Sequence, residues 1–569
     1  MASPSPSSSE LSSLASFVTA HDSALDKLTA ASSPAQDNPC PYRDARQLPR
    51  ELRAHCQIFL EEQLYTCAIN LLNSVAASGA SKRAPVNRRS IAIPPPTHLA
   101  LLATLVVHPI HTTRVENKDH LDVSSQALDY LRNLLAVVGP IKADLKTAFR
   151  FYSVTRHGRR WGQYGHANDS DMSDGDVSVD DEHLRGKISN EGSLWCRGQD
   201  FWSTIGWAFN CSTLYPHRWQ YWKAWLGFML DVLEADWEER ERCDKEAHRA
   251  AGEDGEMPRE SREEAMILIY MDQQDGKTHG IKGILKALFA DGSEISSSAF
   301  REVFDKEPKG PRKQANKRKR DQTLDLENDK FGDYFDDESL SSGVSEPPTP
   351  EKPKDSRKSG SAGAHQPGLV ESIDYRLRLF KLLSAATYAT RKRSDLDRLY
   401  EGYATSVKLL PLQAFALIVS QRPNPLIAEA HITITKELFH LLLPASYKNP
   451  AKVDREADSQ GCLTTKMLEQ CYILNPANTV AMEDNAKLSL VVENAIQLLW
   501  MCNMLEYSDT LAEAAERGIQ ARESKAKKRR TGKMRGDGTD TMAQDVLENS
   551  GQRIRILMEA FESMSEEQE

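Results

Sequence analysis

No stretch of this 569-residue chain is apolar for long enough to cross a bilayer. The longest, Leu99 to Val107, has nine residues, against the about 20 that a spanning helix needs. The first 45 residues are rich in Ser, Ala and Pro, and they have neither the apolar run of a secretory leader nor the arginines of a transit peptide. Nine cysteines, at 40, 56, 67, 196, 211, 243, 462, 471 and 502, form no C-x-x-C pair and have no histidine at zinc-ligand spacing. Reduced thiols in a soluble intracellular protein are the expectation, with no metal and no membrane. The sequence also has no G-x-x-x-x-G-K-[ST], G-x-S-x-G or H-E-x-x-H, and no G-x-G-x-x-G opening a helix. The chain is therefore read as non-enzymatic and without a cofactor.

A basic balance is missing too. The net charge is −10, so no whole-chain field attracts nucleic acid, and any such contact has to rest on local runs. The apolar fraction is 40% and the mean hydropathy −0.54. Together they describe ordered blocks separated by solvated segments.

Tryptophan is concentrated in one place. Of nine, eight lie between Trp161 and Trp237, and Trp500 stands apart. Each can bury on the order of 200 Å², which makes 194–248 the expected centre of the main core. Trp219, Trp222, Leu226, Met229, Leu233 and Trp237 recur at helical spacing, with Trp225, Phe228 and Val232 on an adjacent face. A helix apolar over that much of its circumference packs between neighbours. Its edge, at Trp219, Trp222 and Trp225, is the candidate partner groove.

Apolar residues recur at helical spacing through most of the chain. The stripe from Leu52 to Leu72 predicts one long helix. Further helices are expected at 97–107, 123–138, 141–152 (after the Gly139-Pro140 break), 200–209, 217–250, 373–390, 394–409, 412–420, 425–443, 463–473 and 483–520, with an amphipathic one at the end. No period-two pattern supports a sheet. The fold class is all-α. In general plan it resembles an irregular helical-repeat protein, a HEAT, armadillo or TPR-type solenoid or a large helical bundle, with long disordered insertions. No fixed repeat period is present. Four regions follow: a tail at 1–46, a helical domain at 47–305 with an acidic loop at 161–193, a basic Pro/Ser linker at 306–368, and a helical domain at 369–569 with a basic loop at 523–540.

The clearest motifs are addresses. Arg312, Lys313, Lys317, Arg318, Lys319 and Arg320 fall in the linker. Lys525, Lys527, Lys528, Arg529 and Arg530 fall in the second basic loop. Basic runs in exposed loops suit the acidic groove of a nuclear import receptor. The expected location is the nucleus and the expected partners are other nuclear proteins. Thr349-Pro350 with Lys352 at +3 fits a proline-directed kinase, and Ser173 and Ser178, each with Asp at +3, fit acidophilic kinases. These features predict a phosphoprotein scaffold in a chromatin or DNA-maintenance complex. A ribosome-biogenesis or RNA-processing component touching nucleic acid through its basic loops is the alternative. Arg156-His157-Gly158-Arg159-Arg160 resembles the R-H-G-x-R loop of histidine phosphatases, but it follows a helical stretch where that family has a β-strand.

Overall fold

A computed structural model describes residues 41–80, 90–115, 118–152, 184–251, 260–275, 280–305, 307–308, 367–420, 424–527 and 538–566. The chain is mostly helical, and no described helix is long and apolar enough to cross a membrane.

The stripe over 52–72 is two helices, α1 (Arg50–Glu61) and α2 (Tyr65–Ala80), because Gln63 turns the chain with φ 61°. Before and after them come β1 (Ala45–Gln47) and β2 (Ile91–Ile93), paired in parallel with Ala45 opposite Ile91. This two-stranded ribbon corrects the expectation of no sheet, and it brings the last residues of the tail into the fold. The chain continues through α3 (Pro96–Leu105) and α4 (Lys118–Val138). At Gly139 (φ 79°) a Cβ would fall 2.5 Å from the Tyr42 ring, so the close turn requires glycine. The helix expected over 141–152 shrinks to the single turn α5 (Leu145–Ala148), preceded by left-handed Asp144.

Next come α6 (Leu194–Arg197), α7 (Phe201–Leu214) and α8 (Pro216–Ala251). Asp200 caps α7, its Oδ1 accepting the Ser203 N–H at 2.7 Å. Pro216 opens α8 where a missing N–H costs nothing. Leu184 and Ser193 are buried, so the acidic loop read over 161–193 is folded from 184 onward. Trp195 stacks on Phe149 at 5.0 Å and donates to the Ala100 carbonyl at 2.8 Å. Trp202 donates to the Tyr270 carbonyl at 2.8 Å. The charged half of α8 is anchored as well. Asp236 accepts the Met266 N–H at 2.8 Å and the Arg240 Nε–H at 2.9 Å, fixing the start of α9 (Met266–Asp275). Then follow α10 (Gly280–Leu288) and α11 (Glu294–Ala299).

The second half opens with α12 (Pro367–Glu371) and α13 (Ile373–Thr390). α13 runs parallel to α8: Tyr375 lies against Gly227, and Arg378 pairs with Asp231 at 2.7 Å and Glu234 at 2.6 Å. Arg376 is fully buried over the Phe209 ring at 4.0 Å. It donates to the Leu288 carbonyl, and to that of Ala290 at 2.8 Å, at the end of α10. Burial lowers its pKa to about 9. Then come α14 (Arg393–Leu409), α15 (Leu412–Val419), α16 (Ala428–Leu442), α17 (Arg455–Ser459) and α18 (Thr465–Met467), the last continuing into a π-helical turn at Leu468–Ile473.

The stretch read as one helix over 483–520 breaks into α19 (Met482–Met501) and α20 (Asp509–Lys527), with Asn503 left-handed at the break (φ 53°). α21 (Gly538–Glu566) closes the described chain. It runs parallel to α19, since Ser489 meets Ser550, Glu493 meets Arg553 and Trp500 meets Phe561. α20 packs on the π-turn at Gly518, where a Cβ would lie 1.9 Å from the Ile473 carbonyl oxygen. One turn later Arg522 donates to that same carbonyl at 2.9 Å. Buried residues from Leu48 to Phe561 form one continuous hydrophobic core.

Candidate functional site

The corner between α7 and α8 carries Arg218, the most deeply buried charged side chain described in the amino-terminal half. Tyr215 and Pro216 turn the chain, and the next turn carries Arg218 and Trp219. Arg218 has no solvent exposure. Its guanidinium lies 4.4 Å from the Tyr215 ring centre and 5.6 Å from that of Trp207. It donates to the backbone carbonyl of Glu307, and from Nε to that of Pro308 at 3.0 Å, while pairing with Glu302 at 2.8 Å. The Glu307 carboxylate accepts the Thr113 hydroxyl at 3.2 Å and stands 3.9 Å from Arg218. Burial pushes its pKa up to about 7 against the pull of Arg218. Outward from there, Arg197 reaches Asp305 at 2.5 Å, and Arg114 donates to the Asp305 carbonyl at 2.7 Å.

The neighbouring side chain holds a different piece of chain. Trp219 donates from Nε1 to a Glu371 carboxylate oxygen at 2.8 Å, and Lys223, one turn on, takes the other oxygen. The lysine keeps that carboxyl below its ordinary range and is itself raised. Gly368 seats α12 against α7, where a Cβ would be 1.7 Å from the Ser212 carbonyl oxygen. Consecutive residues of α8 thus hold the chain on both sides of residues 309–366: Arg218 at Glu307 and Pro308, Trp219 at Glu371. The linker boundaries shift accordingly, because Glu307 is buried and Pro367–Glu371 is helical. An open cleft of about 1040 Å³ borders the joint, lined among others by Arg132, Trp219, Lys223, Asp291, Glu371 and Tyr375.

Trp222 and Trp225 face away from this cleft into the core, 1% and 0% exposed, and touch each other at 5.8 Å. They present no surface to a partner; of the three groove candidates, Trp219 alone reaches the cleft wall. The second basic cluster is corrected in part. α20 extends to Lys527, and Lys525 donates to the carbonyls of Ala477 and Asn478. Its charge thus caps backbone groups of the fold. Lys527 is exposed and sits 3.8 Å from Glu523. Arg312, Lys313, Lys317, Arg318, Lys319, Arg320, Lys528, Arg529, Arg530, Ser173, Ser178, Thr349 and His157 lie outside the described residues.

Sequence reasoning singled out Trp219 within its block and passed over Arg218. The available signal was a lone arginine at the start of an apolar helix, where a charge demands buried partners. Among the described residues no group of three or more His, Cys, Asp or Glu could hold a metal, and no disulfide joins any of the eight described cysteines. Comparisons with protein-family models, with curated proteins and with solved structures find no match.

Proposed function

We propose that this chain is a nuclear scaffold or adaptor without catalytic activity, a helical-repeat-like or bundle-like body that docks other nuclear proteins. Chromatin or DNA-maintenance complexes are the setting that the import-type basic runs and kinase-site patterns favour. Phosphorylation at Ser173, Ser178 and Thr349 is the proposed regulation. The observation that supports this reading most is the fastening at Arg218 and Trp219. A segment carrying a basic address and a Thr-Pro site is attached at both ends to adjacent residues of α8. An import receptor or kinase can then engage that segment without perturbing the packed body.

The test is a fluorescent fusion in which Lys317, Arg318, Lys319 and Arg320, together with Lys527, Lys528, Arg529 and Arg530, are changed to Ala. The expected result is loss of nuclear accumulation, and unchanged accumulation would sink the nuclear reading. Affinity purification of the full chain should recover other nuclear proteins in defined ratios. Recovery of nucleic acid that persists through high salt would favour the ribosome-biogenesis or RNA-processing alternative instead.

A further inference from the structure

Five of the sixteen exposed large apolar side chains among the described residues sit at one end of the carboxy-terminal bundle: Ile427, Trp500, Met501, Met504 and Met564. The geometry that gathers them is specific. α19 ends in a Schellman turn, with the Met504 N–H bonded to the Leu499 carbonyl at 2.8 Å, that of Asn503 to Trp500 at 3.0 Å, and Asn503 left-handed. The turn fixes Trp500, Met501 and Met504 on one outward surface. α21 is parallel to α19, so its end arrives at the same place. Its Phe561 ring centre lies 5.8 Å from that of Trp500, and Met564 follows one turn later. α16 is antiparallel to α19: the Asn478 N–H bonds the Leu442 carbonyl at the far end. Its start, Ile427 to Glu429, therefore meets the end of α19. Burial, and then the nearby Glu429 carboxylate, raise the Cys502 thiol above its ordinary range.

Around this apolar surface the exposed charges are predominantly acidic. Glu429, Glu559 and Glu562 belong to the converging helices, Glu506 to the connection after α19 and Asp509 to the start of α20, and Lys466 beside Thr465 stands against them. Thr465 ties that connection down, donating to the Met504 carbonyl at 3.0 Å and accepting the Glu506 N–H at 3.1 Å. The platform is therefore built on ordered backbone. Methionines adapt to varied shapes, and an exposed tryptophan is the side chain that most often anchors an interface.

We propose that this bundle end is a docking surface for a basic amphipathic helix of a partner protein, its apolar face on Trp500, Met501, Met504 and Met564 and its lysines or arginines against the acidic rim. A second copy of the chain is the poorer occupant, because a two-fold contact would set this acidic rim against itself. The proposal deepens the adaptor reading and rests on it only in requiring a protein partner.

The experiment uses the full-length chain and three labelled peptides: a lysine–leucine amphipathic helix, its scrambled isomer, and a glutamate–leucine counterpart. Fluorescence anisotropy should show binding of the first alone, weakened by added salt. Trp500→Ala should reduce that affinity about 30-fold, as loss of a 2 kcal/mol anchor does, and Glu506→Lys with Glu562→Lys should also weaken it. Thermal melts accompany each variant. Because Trp500 touches Phe561, the surface variants Met501→Ser and Met504→Ser serve as a second test that leaves that packing in place. Equal binding of the scrambled peptide, or unchanged binding by the folded variants, would overturn the proposal. Concentration-dependent dimerisation abolished by Trp500→Ala would assign the surface to a second copy and overturn it as well. If these tests fail while partners are still recovered from nuclei, the adaptor reading survives and the surface assignment does not.

Discussion

Tryptophan occurs in two opposite situations in this protein. In the amino-terminal half Trp195, Trp202, Trp207, Trp219, Trp222, Trp225 and Trp237 are all at most 8% exposed. At the carboxy-terminal bundle end Trp500 is 45% exposed. The difference lies in how many elements surround each. α8 has α4, α7, α9 and α13 along its length, so the tryptophans of its first half are covered even though Gln220 and Lys223 border the open cleft. α19 is covered just as well through its middle, where every residue from Ala486 to Ile496 is buried. Its last turn emerges where α16 begins and α21 is nearly finished. A tryptophan belongs to the core or to the surface according to the ends of its neighbours.

That comparison can be broken by mutation. Trp225→Ala should cost the most, about 3–5 kcal/mol, because it empties a sealed site, and denaturant unfolding of the full chain measures it. Trp225→Phe should recover more than half of that loss, since the Trp225 indole N–H has no acceptor. Trp202→Phe should recover less of its own loss, because it also gives up the indole N–H bond to the Tyr270 carbonyl. Arg218→Ala should destabilise by a similar 3–5 kcal/mol, as expected when one member of a buried ion pair is removed. Limited proteolysis should then show cleavage near 305–308 in the variant before global unfolding. At the other extreme, Trp500→Ala should cost about 1 kcal/mol or less, being half out of the core already. An equal cost at Trp225 and Trp500 would erase the distinction.

Between these lies an effect of pH. Burial holds His98, His108 and His431 at a pKa of about 4, with nearby Arg53 adding to the effect at His98, and His111 and Arg114 at His108. The unfolded chain protonates these near 6.5 while the folded chain resists. Their contribution is therefore present above pH 6.5 and is lost as pH falls toward 4, at most roughly 3 kcal/mol each. Glu307 runs the other way. Its folded pKa of about 7 means a contribution present below the ordinary carboxyl range and lost as pH rises through 7. Denaturation midpoints at pH 7 and pH 5 should therefore show lower stability in acid. Glu307→Gln should steepen that decline by removing the opposing titration.

The legible part of the fold was whatever proline, glycine and the apolar stripe punctuate. α13 runs over Ile373–Thr390 as read from sequence, α8 starts at Pro216, and Gly139 ends α4. What escaped depends on backbone states without a residue signature. Gln63, Asp144 and Asn503 adopt positive φ, each ending or shortening a helix that the apolar pattern would continue. The β1–β2 pairing spans three residues per strand, too few for an alternation to be read. Of the functional corner, Trp219 was visible through its block. Arg218 was not, because its partners, Glu302, Glu307 and the Pro308 carbonyl, come from some ninety residues away.

The fastening at Arg218 and Trp219 also sets how freely this chain can change length. For a flexible segment joined at two fixed points, closure entropy grows only with the logarithm of its length, so a doubling costs about 0.6 kcal/mol. A reporter domain inserted between Pro308 and Pro367 should therefore leave the Arg218 and Trp219 contacts in place, as a thermal melt of the insertion variant would check.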